Sequence, residues 1–229
     1  MIFPIGDDQV RGGYFPLFSY GFIVLNVAIF LYQYYALSPN ELHYFIYTYG
    51  SIPVETLQQK DLYSLFTSMF LHGGWMHLIG NMLFLWVFAD NIEAVIGNAQ
   101  FLVFYILGGL AAHAVHIYFN MDSTIPTVGA SGAISAVMGT YLVLFPTSRV
   151  RVLILFFTIR VSAFIFLGFW IWQQWLNGQA SLDVATAESA GVAWWAHIGG
   201  FAFGLIAGLY YRLSYPSLRK ERGGDYYQE

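Results

Sequence analysis

The chain of 229 residues contains no cysteine, which excludes disulfide bonds, thiolate nucleophiles and thiolate metal sites. Charge is scarce as well: Asp, Glu, Lys and Arg make up only 10% of the residues. The formal net charge of −4 offers no basic surface for nucleic acid. The opening residues, MIFPIGDDQVRGG, hold two aspartates and no apolar run, so they do not read as a cleaved leader. No repeat or low-complexity segment divides the chain, and we expect one membrane domain over 1–229, with a cytoplasmic N-tail at 1–16 and a cytoplasmic C-tail at 214–229. What the chain has in excess is apolar: 58% of residues are hydrophobic and 20% aromatic. A soluble domain of this length cannot hide so much apolar surface, so the class is a polytopic membrane protein.

Apolar runs near spanning length fall at 18–37, 77–96, 101–119, 130–145, 162–176 and 194–213. The expected fold is therefore all-α, a bundle of six transmembrane helices. The mixed segment 38–76 is too polar to span and too apolar to float free, and is expected in the interface. Reading RVRVLILFFTIR (149–160) as a crossing would bury Arg160 near mid-bilayer, which is costly. We expect that stretch at the membrane surface, with the fifth helix starting near Ser162. Arg11, Arg149, Arg151, Arg160, Arg212, Arg219, Lys220 and Arg222 gather on one side of this topology, and only Lys60 lies on the other. The bias puts both termini in the cytoplasm and the 38–76, 120–129 and 177–193 loops outside.

Polar residues converge at the outer ends of these helices. His77 and Asn81 are four apart, on one helix face; Ser131 opens the fourth predicted helix in VGASGAISAVMG (128–139); His197 lies in the first turns of the sixth. Polar groups at such depth are expensive and point to function. From Ser131 to Phe145 is about 22 Å at helical rise, against a hydrocarbon core of about 30 Å, so Ser131 is expected below the surface, in a wet cavity. Ser131, Ser135 and Gly139 form one small-residue stripe, and Ala196, Gly200, Gly204 and Gly208 another, so the two helices can approach closely.

Packing them brings imidazole to hydroxyl, the pairing that acyl transfer needs. Asn81, His77 and the amides at the N-terminus of the fourth helix supply donors for an oxyanion. No carboxylate is well placed as a third member, since Asp90 and Glu93 lie about 20 Å from His77 at helical rise; Asp122, in an outer loop, stays open. The reading is a Ser131–His197 dyad. Taken singly, each residue has a plainer role: Ser131 in packing, His197 at the interface, Asn81 bonding a neighbouring helix. GASGA also misses the G-x-S-x-G nucleophile elbow at Ala133. His113 and His116 read as interfacial or structural, and Asp90, Asn91 and Glu93 as caps or pairs at the inner surface.

HGGWMHLIGN (His72, His77, Asn81), GASG (Gly129 to Gly132) and AHIGGFAFG (Ala196, His197, Gly200, Gly204) occur in this order and on the required side of the membrane. With these motifs the sequence resembles the rhomboid intramembrane serine proteases, from about the first helix through the sixth. The resemblance implies a six-helix core, Ser131 as nucleophile and His197 as base. It implies Asn81, His77 and the Ser131 backbone amide as oxyanion donors, with His72, Gly129, Gly132, Gly200 and Gly204 in structural and packing roles. Substrates would be transmembrane segments of other proteins, cut near the outer face within the lipid bilayer, without cofactor, metal or nucleic acid. The expected location is a prokaryotic plasma membrane.

Two positions depart from the family pattern: Tyr63-Ser64 stands where many members have Trp-Arg, and Ser135 where some have a tyrosine stacked on the histidine. Phe164, Phe166, Phe169, Trp170 and Trp172 make the fifth helix bulky, a candidate substrate gate with the 177–193 loop as cap. Two other functions compete. One is a non-catalytic relative that binds transmembrane segments, which the presence of both Ser131 and His197 disfavours. The other is a metal-ion transporter using His72, His77, His113, His116 and His197, which lacks, near those histidines, the intramembrane carboxylate such ions usually recruit.

Overall fold

The computed structural model describes residues 2–8, 12–182 and 192–215. Helices dominate: α1 (Leu17–Tyr35), α2 (Pro39–Tyr49), α3 (Pro53–Leu57), α4 (Ser64–Thr67), α5 (Trp75–Ile96), α6 (Asn98–Phe119), α7 (Ser131–Leu144), α8 (Ala163–Leu182) and α9 (Trp194–Ser214). Six of these, α1 and α5 to α9, lie where the apolar runs predict helices. Among the described residues, α1, α5 and α6 are the helices long and apolar enough to cross a membrane by length and composition. The helix α7 is apolar but short, while Gln173, Gln174, Asn177 and Gln179 dilute α8.

Two expectations need correction. The 38–76 segment is not a plain loop, because it folds into α2, α3, α4 and a 3-10 turn at Ser68–Phe70. Local signals explain this. Ser38 and Glu41 form a capping box at the start of α2, where the Ser38 amide and hydroxyl donate to the Glu41 carboxylate at 2.8 and 2.6 Å. Those bonds, the hydroxyl's first, hold the Glu41 carboxyl below the usual carboxylate range. Pro39 and Pro53 occupy the first turns of α2 and α3, where proline costs no hydrogen bond.

The second correction is to the all-α class. Residues 149–162 form a β-hairpin, and the N-terminal tail adds a third strand to it. β1 (Ile2–Gly6), β2 (Arg149–Ile154) and β3 (Phe157–Ser162) make an antiparallel sheet in the order β1-β2-β3. The cause is alternation: Val150 and Val152 are buried while Arg149 and Arg151 are exposed, a period of two that no helix satisfies. Leu155, at φ 54°, and Phe156 turn the hairpin and leave an exposed apolar tip. The cytoplasmic assignments of Arg11, Arg219, Lys220, Arg222 and the end of the C-tail concern positions outside the described residues, as does most of the 177–193 loop.

At the end of the bundle that carries this sheet, polar groups bury together. Asp7 accepts hydrogen bonds from the Asn91 amide at 2.8 Å and from the Tyr141 hydroxyl, which also meets Ser148 at 2.8 Å. Nearby, Glu93 is fully buried and caps α1 from another helix: it accepts from the amides of Phe18 and Ser19 at 2.9 and 2.7 Å and from the Ser19 hydroxyl at 2.7 Å.

The core centres on α7, which is buried from Gly132 through Tyr141. The two small-residue stripes meet as the sequence predicts. A Cβ on Gly200 would strike the Gly132 carbonyl oxygen, one on Gly204 the Ala136 carbonyl, and one on Gly139 the Phe201 carbonyl. Thr140 adds a hydroxyl bond to the Gly204 carbonyl at 2.8 Å. Close backbone approach of this kind replaces the hydrophobic drive that lipid does not supply.

Candidate active site

The α7–α9 contact fixes Ser131 against His197. Ser131 is the first residue of α7, and His197 lies in the first turn of α9. His197 Nε2 is 2.8 Å from Ser131 Oγ. Both side chains are half-buried and line a cavity of about 1250 Å³, which also takes in His77, Asn81, Trp170 and Gln174. Ala130, the N-cap of α7, has no polar side chain to occupy the first-turn amides, so the Ser131 N–H remains a donor.

The backbone before Ser131 is held from two sides. Thr127 exchanges amide–carbonyl bonds with Ser51 at 2.8 and 3.0 Å, and the Gly129 amide donates to the Ser68 carbonyl at 2.9 Å. Gly129 adopts φ 129°, and a Cβ there would come within 2.7 Å of His77 Nε2 and 3.6 Å of Asn81 Nδ2. Only glycine meets both conditions. His77 and Asn81 thus converge on the segment that presents Ser131.

His72 orients Asn81, whose amide Nδ2 lies 2.9 Å from His72 Nε2. Burial, and then the neighbouring His77, push His72 down to about 3, so the ring stays neutral and accepts from the amide. One Asn81 N–H is used this way and the second is left for a ligand. Gln33 of α1 clamps the loop by bonding the His72 amide and carbonyl at 3.2 and 3.3 Å. Gly132, Gly200 and Gly204 lie in the α7–α9 contact.

The two departures find local explanations. Tyr63 ties the segment between α1 and α5 down through its hydroxyl to the Thr48 carbonyl at 3.2 Å, while Ser64 is buried. Ser135 does not touch the imidazole, since its hydroxyl donates to the Ser131 carbonyl at 2.6 Å. The ring is flanked instead by Trp170, at 5.7 Å between centroids, and by the edge of Trp194 at 6.2 Å.

One polar contact was missed in the sequence. Gln174 Oε1 lies 2.8 Å from His197 Nδ1. A lone amide in an aromatic helix carries no spacing signal, although its position four residues after Trp170 puts both on one face. Asp122 lines the cavity, but the Nδ1 position is taken by Gln174. His113 and His116 are bonded to hydroxyls, Ser68 at 3.1 Å and Thr127 at 2.9 Å. Among the described residues no three histidine, aspartate or glutamate side chains group as metal ligands.

A serine hydroxyl against an imidazole, with side-chain and backbone donors beside it, is the arrangement that nucleophilic acyl transfer requires, and here it is set in a helical membrane domain. The rhomboid domain family model matches residues 59–214, more than half of the chain, and this integral membrane protein belongs to the rhomboid family. It is 28% identical over 174 residues to rhomboid protein 1, mitochondrial, of Saccharomyces cerevisiae, covering 72% of this chain and 48% of that protein. To the rhomboid protease GluP of Bacillus subtilis it is 29% identical over 194 residues, covering 84% of this chain and 34% of GluP. To presenilin-associated rhomboid-like protein A, mitochondrial, of Danio rerio it is 30% identical over 146 residues, 60% of this chain and 34% of that protein. The chain thus spans about a third to a half of the length of these relatives, which come from mitochondria and from bacteria.

Proposed function

We propose that this protein is an intramembrane serine endopeptidase that cleaves transmembrane segments of other membrane proteins near the outer membrane face. The observation that carries the reading is the 2.8 Å contact between His197 Nε2 and Ser131 Oγ inside a large cavity. The imidazole takes the hydroxyl proton as Ser131 Oγ attacks the scissile carbonyl, and a C–O bond forms as the carbonyl π electrons move onto oxygen. The developing oxyanion is held by the free N–H of Asn81, by His77 and by the Ser131 amide at the positive end of α7. His197 then delivers its proton to the leaving amine as the C–N bond breaks. Water, activated by the same imidazole, hydrolyses the acyl-enzyme.

In this reading α1 and α5 to α9 all cross the bilayer, with both termini in the cytoplasm and Ser131 opening to the other side. The small-residue α7–α9 contact lets the short α7 sit wholly inside protein, so its N-terminus is recessed but lies in a polar cavity. No cofactor or metal enters the mechanism.

Fluorophosphonate labelling of the detergent-solubilised full chain tests the proposal, together with cleavage of a reconstituted transmembrane-segment substrate. Wild type should label and cleave; Ser131→Ala and His197→Ala should do neither while remaining folded and membrane-inserted. Cleavage at wild-type rate by purified Ser131→Ala would overturn the assignment.

A further inference from the structure

The helix α8 reaches the imidazole twice. Trp170 lies beside the ring, and one turn later Gln174 meets its Nδ1. Gln174 is buried, and its amide cannot turn freely because its Nε2 donates to the Trp170 carbonyl at 3.3 Å. That bond fixes which end of the amide faces His197. The oxygen, which only accepts, is aimed at Nδ1. Nδ1 must therefore carry the proton, and Nε2 is left with the lone pair that accepts the Ser131 hydroxyl. The tautomer required of a general base follows from one side chain.

This helix is also the least embedded of those around the cavity. Of its twenty residues only Ala163, Leu167, Gln174 and Gly178 are buried. Phe164, Ile165, Phe169, Trp172, Trp175 and Leu176 are exposed. Its hold on α5 runs through rings, Phe166 and Trp170 lying 6.1 and 6.4 Å from Phe84. A side chain that sets the base is thus mounted on the wall with the fewest buried contacts.

Resting on the protease reading above, we propose that Gln174 is a positioning residue for His197, and that the base holds its working tautomer only while α8 lies against α7 and α9. Displacement of α8 removes the acceptor from Nδ1 and frees the ring to rotate or exchange its proton. The site is then competent when α8 has closed and idle while α8 stands open. An amide does this without placing a second charge in a low-dielectric bundle, which a carboxylate would. The other titratable groups facing the same cavity are His77 from α5, His113 and His116 from α6 and Asp122 from the α6–α7 connection.

Three measurements on the full chain test this. In ¹⁵N-histidine spectra the His197 Nδ1 signal should be that of a protonated nitrogen in wild type, and should shift toward a tautomer mixture in Gln174→Leu, which keeps the bulk but has no acceptor. This readout needs no catalysis, so it separates the positioning proposal from the protease assignment, which fluorophosphonate reactivity of wild type tests alone. On a transmembrane-segment substrate, Gln174→Leu should lower kcat about tenfold or more, within the 10²–10⁴ that a general base contributes, with KM changed far less. Gln174→Glu should restore most of kcat and move the acid limb of the kcat/KM profile to higher pH, because a carboxylate at Nδ1 favours the imidazolium. An unchanged histidine spectrum with wild-type kcat in Gln174→Leu would overturn the proposal. If that variant does not fold, an unmoved acid limb in Gln174→Glu overturns it instead.

Discussion

The cavity has two unlike walls. Where α7 faces α9, backbone lies on backbone, with glycines whose missing Cβ atoms would overlap carbonyl oxygens. Where α8 closes the cavity, large rings meet at about 6 Å and most of the helix looks outward. The first arrangement admits one geometry, because any added atom meets backbone that cannot yield. The second tolerates displacement, since ring contacts are individually weak and adjustable. Ser131 and His197, the proposed nucleophile and base, both stand on the rigid wall, while Gln174, proposed to orient the base, stands on the loose one.

The sharpest way to break this contrast is to damage the rigid wall. Gly204→Val places a branched side chain against the Ala136 carbonyl, beyond the range of repacking that costs about 1–3 kcal/mol. Loss of folded, monodisperse protein in detergent is the expected result, measured by thermal unfolding; a variant as stable as wild type would show that α9 can slide on α7. Next in size is Asn81→Ala, expected to lower kcat by about 10²–10³ with a smaller change in KM, the scale of one lost oxyanion donor. His77→Ala should act in the same direction. A loss confined to KM would make the pair a substrate contact.

A gentler change addresses the loose wall. Phe166 packs on Phe84 and Phe88 without touching the imidazole, so Phe166→Ala loosens α8 while sparing Trp170 and Gln174. Cleavage of a transmembrane substrate should rise, with a stability cost below the roughly 3–5 kcal/mol of a fully buried Phe→Ala change, and a soluble unfolded peptide should be cut at nearly the wild-type rate. Unchanged cleavage of the transmembrane substrate would make α8 as rigid as its neighbours.

The smallest effect is expected at α2, which has no buried residue. Its Glu41 carboxyl is held below its ordinary value by Ser38, so the capping contribution is present above the unfolded carboxylate value and is lost as pH falls through the folded one. First-turn amides of α2 should lose hydrogen-exchange protection in Ser38→Ala, and in wild type on acidification, with α7 unaffected.

The long helices were legible because apolar run length is a direct imprint of the bilayer, and the two glycine stripes because small residues at four-residue spacing have few other uses. The approach of Ser131 to His197 was legible from those stripes and from topology. The sheet was not, although R-V-R-V at 149–152 already alternates. Its apolar continuation through Phe157 drew the eye to a membrane surface and hid the period of two. The contacts of Trp170 and Gln174 with His197 were hidden for another reason. Their role depends on the rotation of α8 about its axis, which a helix apolar nearly all round does not record in its pattern. The fixing of His72 by Gln33 likewise joins positions 39 apart and leaves no local trace.

The reach of Glu93 bears on how the chain is made. The amides at the start of α1 find their acceptor 75 residues later, on a different helix. At about 5–20 residues per second of synthesis, α1 leaves the ribosome roughly 4–15 s before Glu93 exists to receive it. Through that interval the Phe18 and Ser19 amides lack the acceptor they have in the folded chain. The arrival of α5 ends the wait, and an α5 packed in the reverse direction would carry the carboxylate to the other end of the bundle. One buried side chain therefore makes docking of the first helix depend on the direction of a later one.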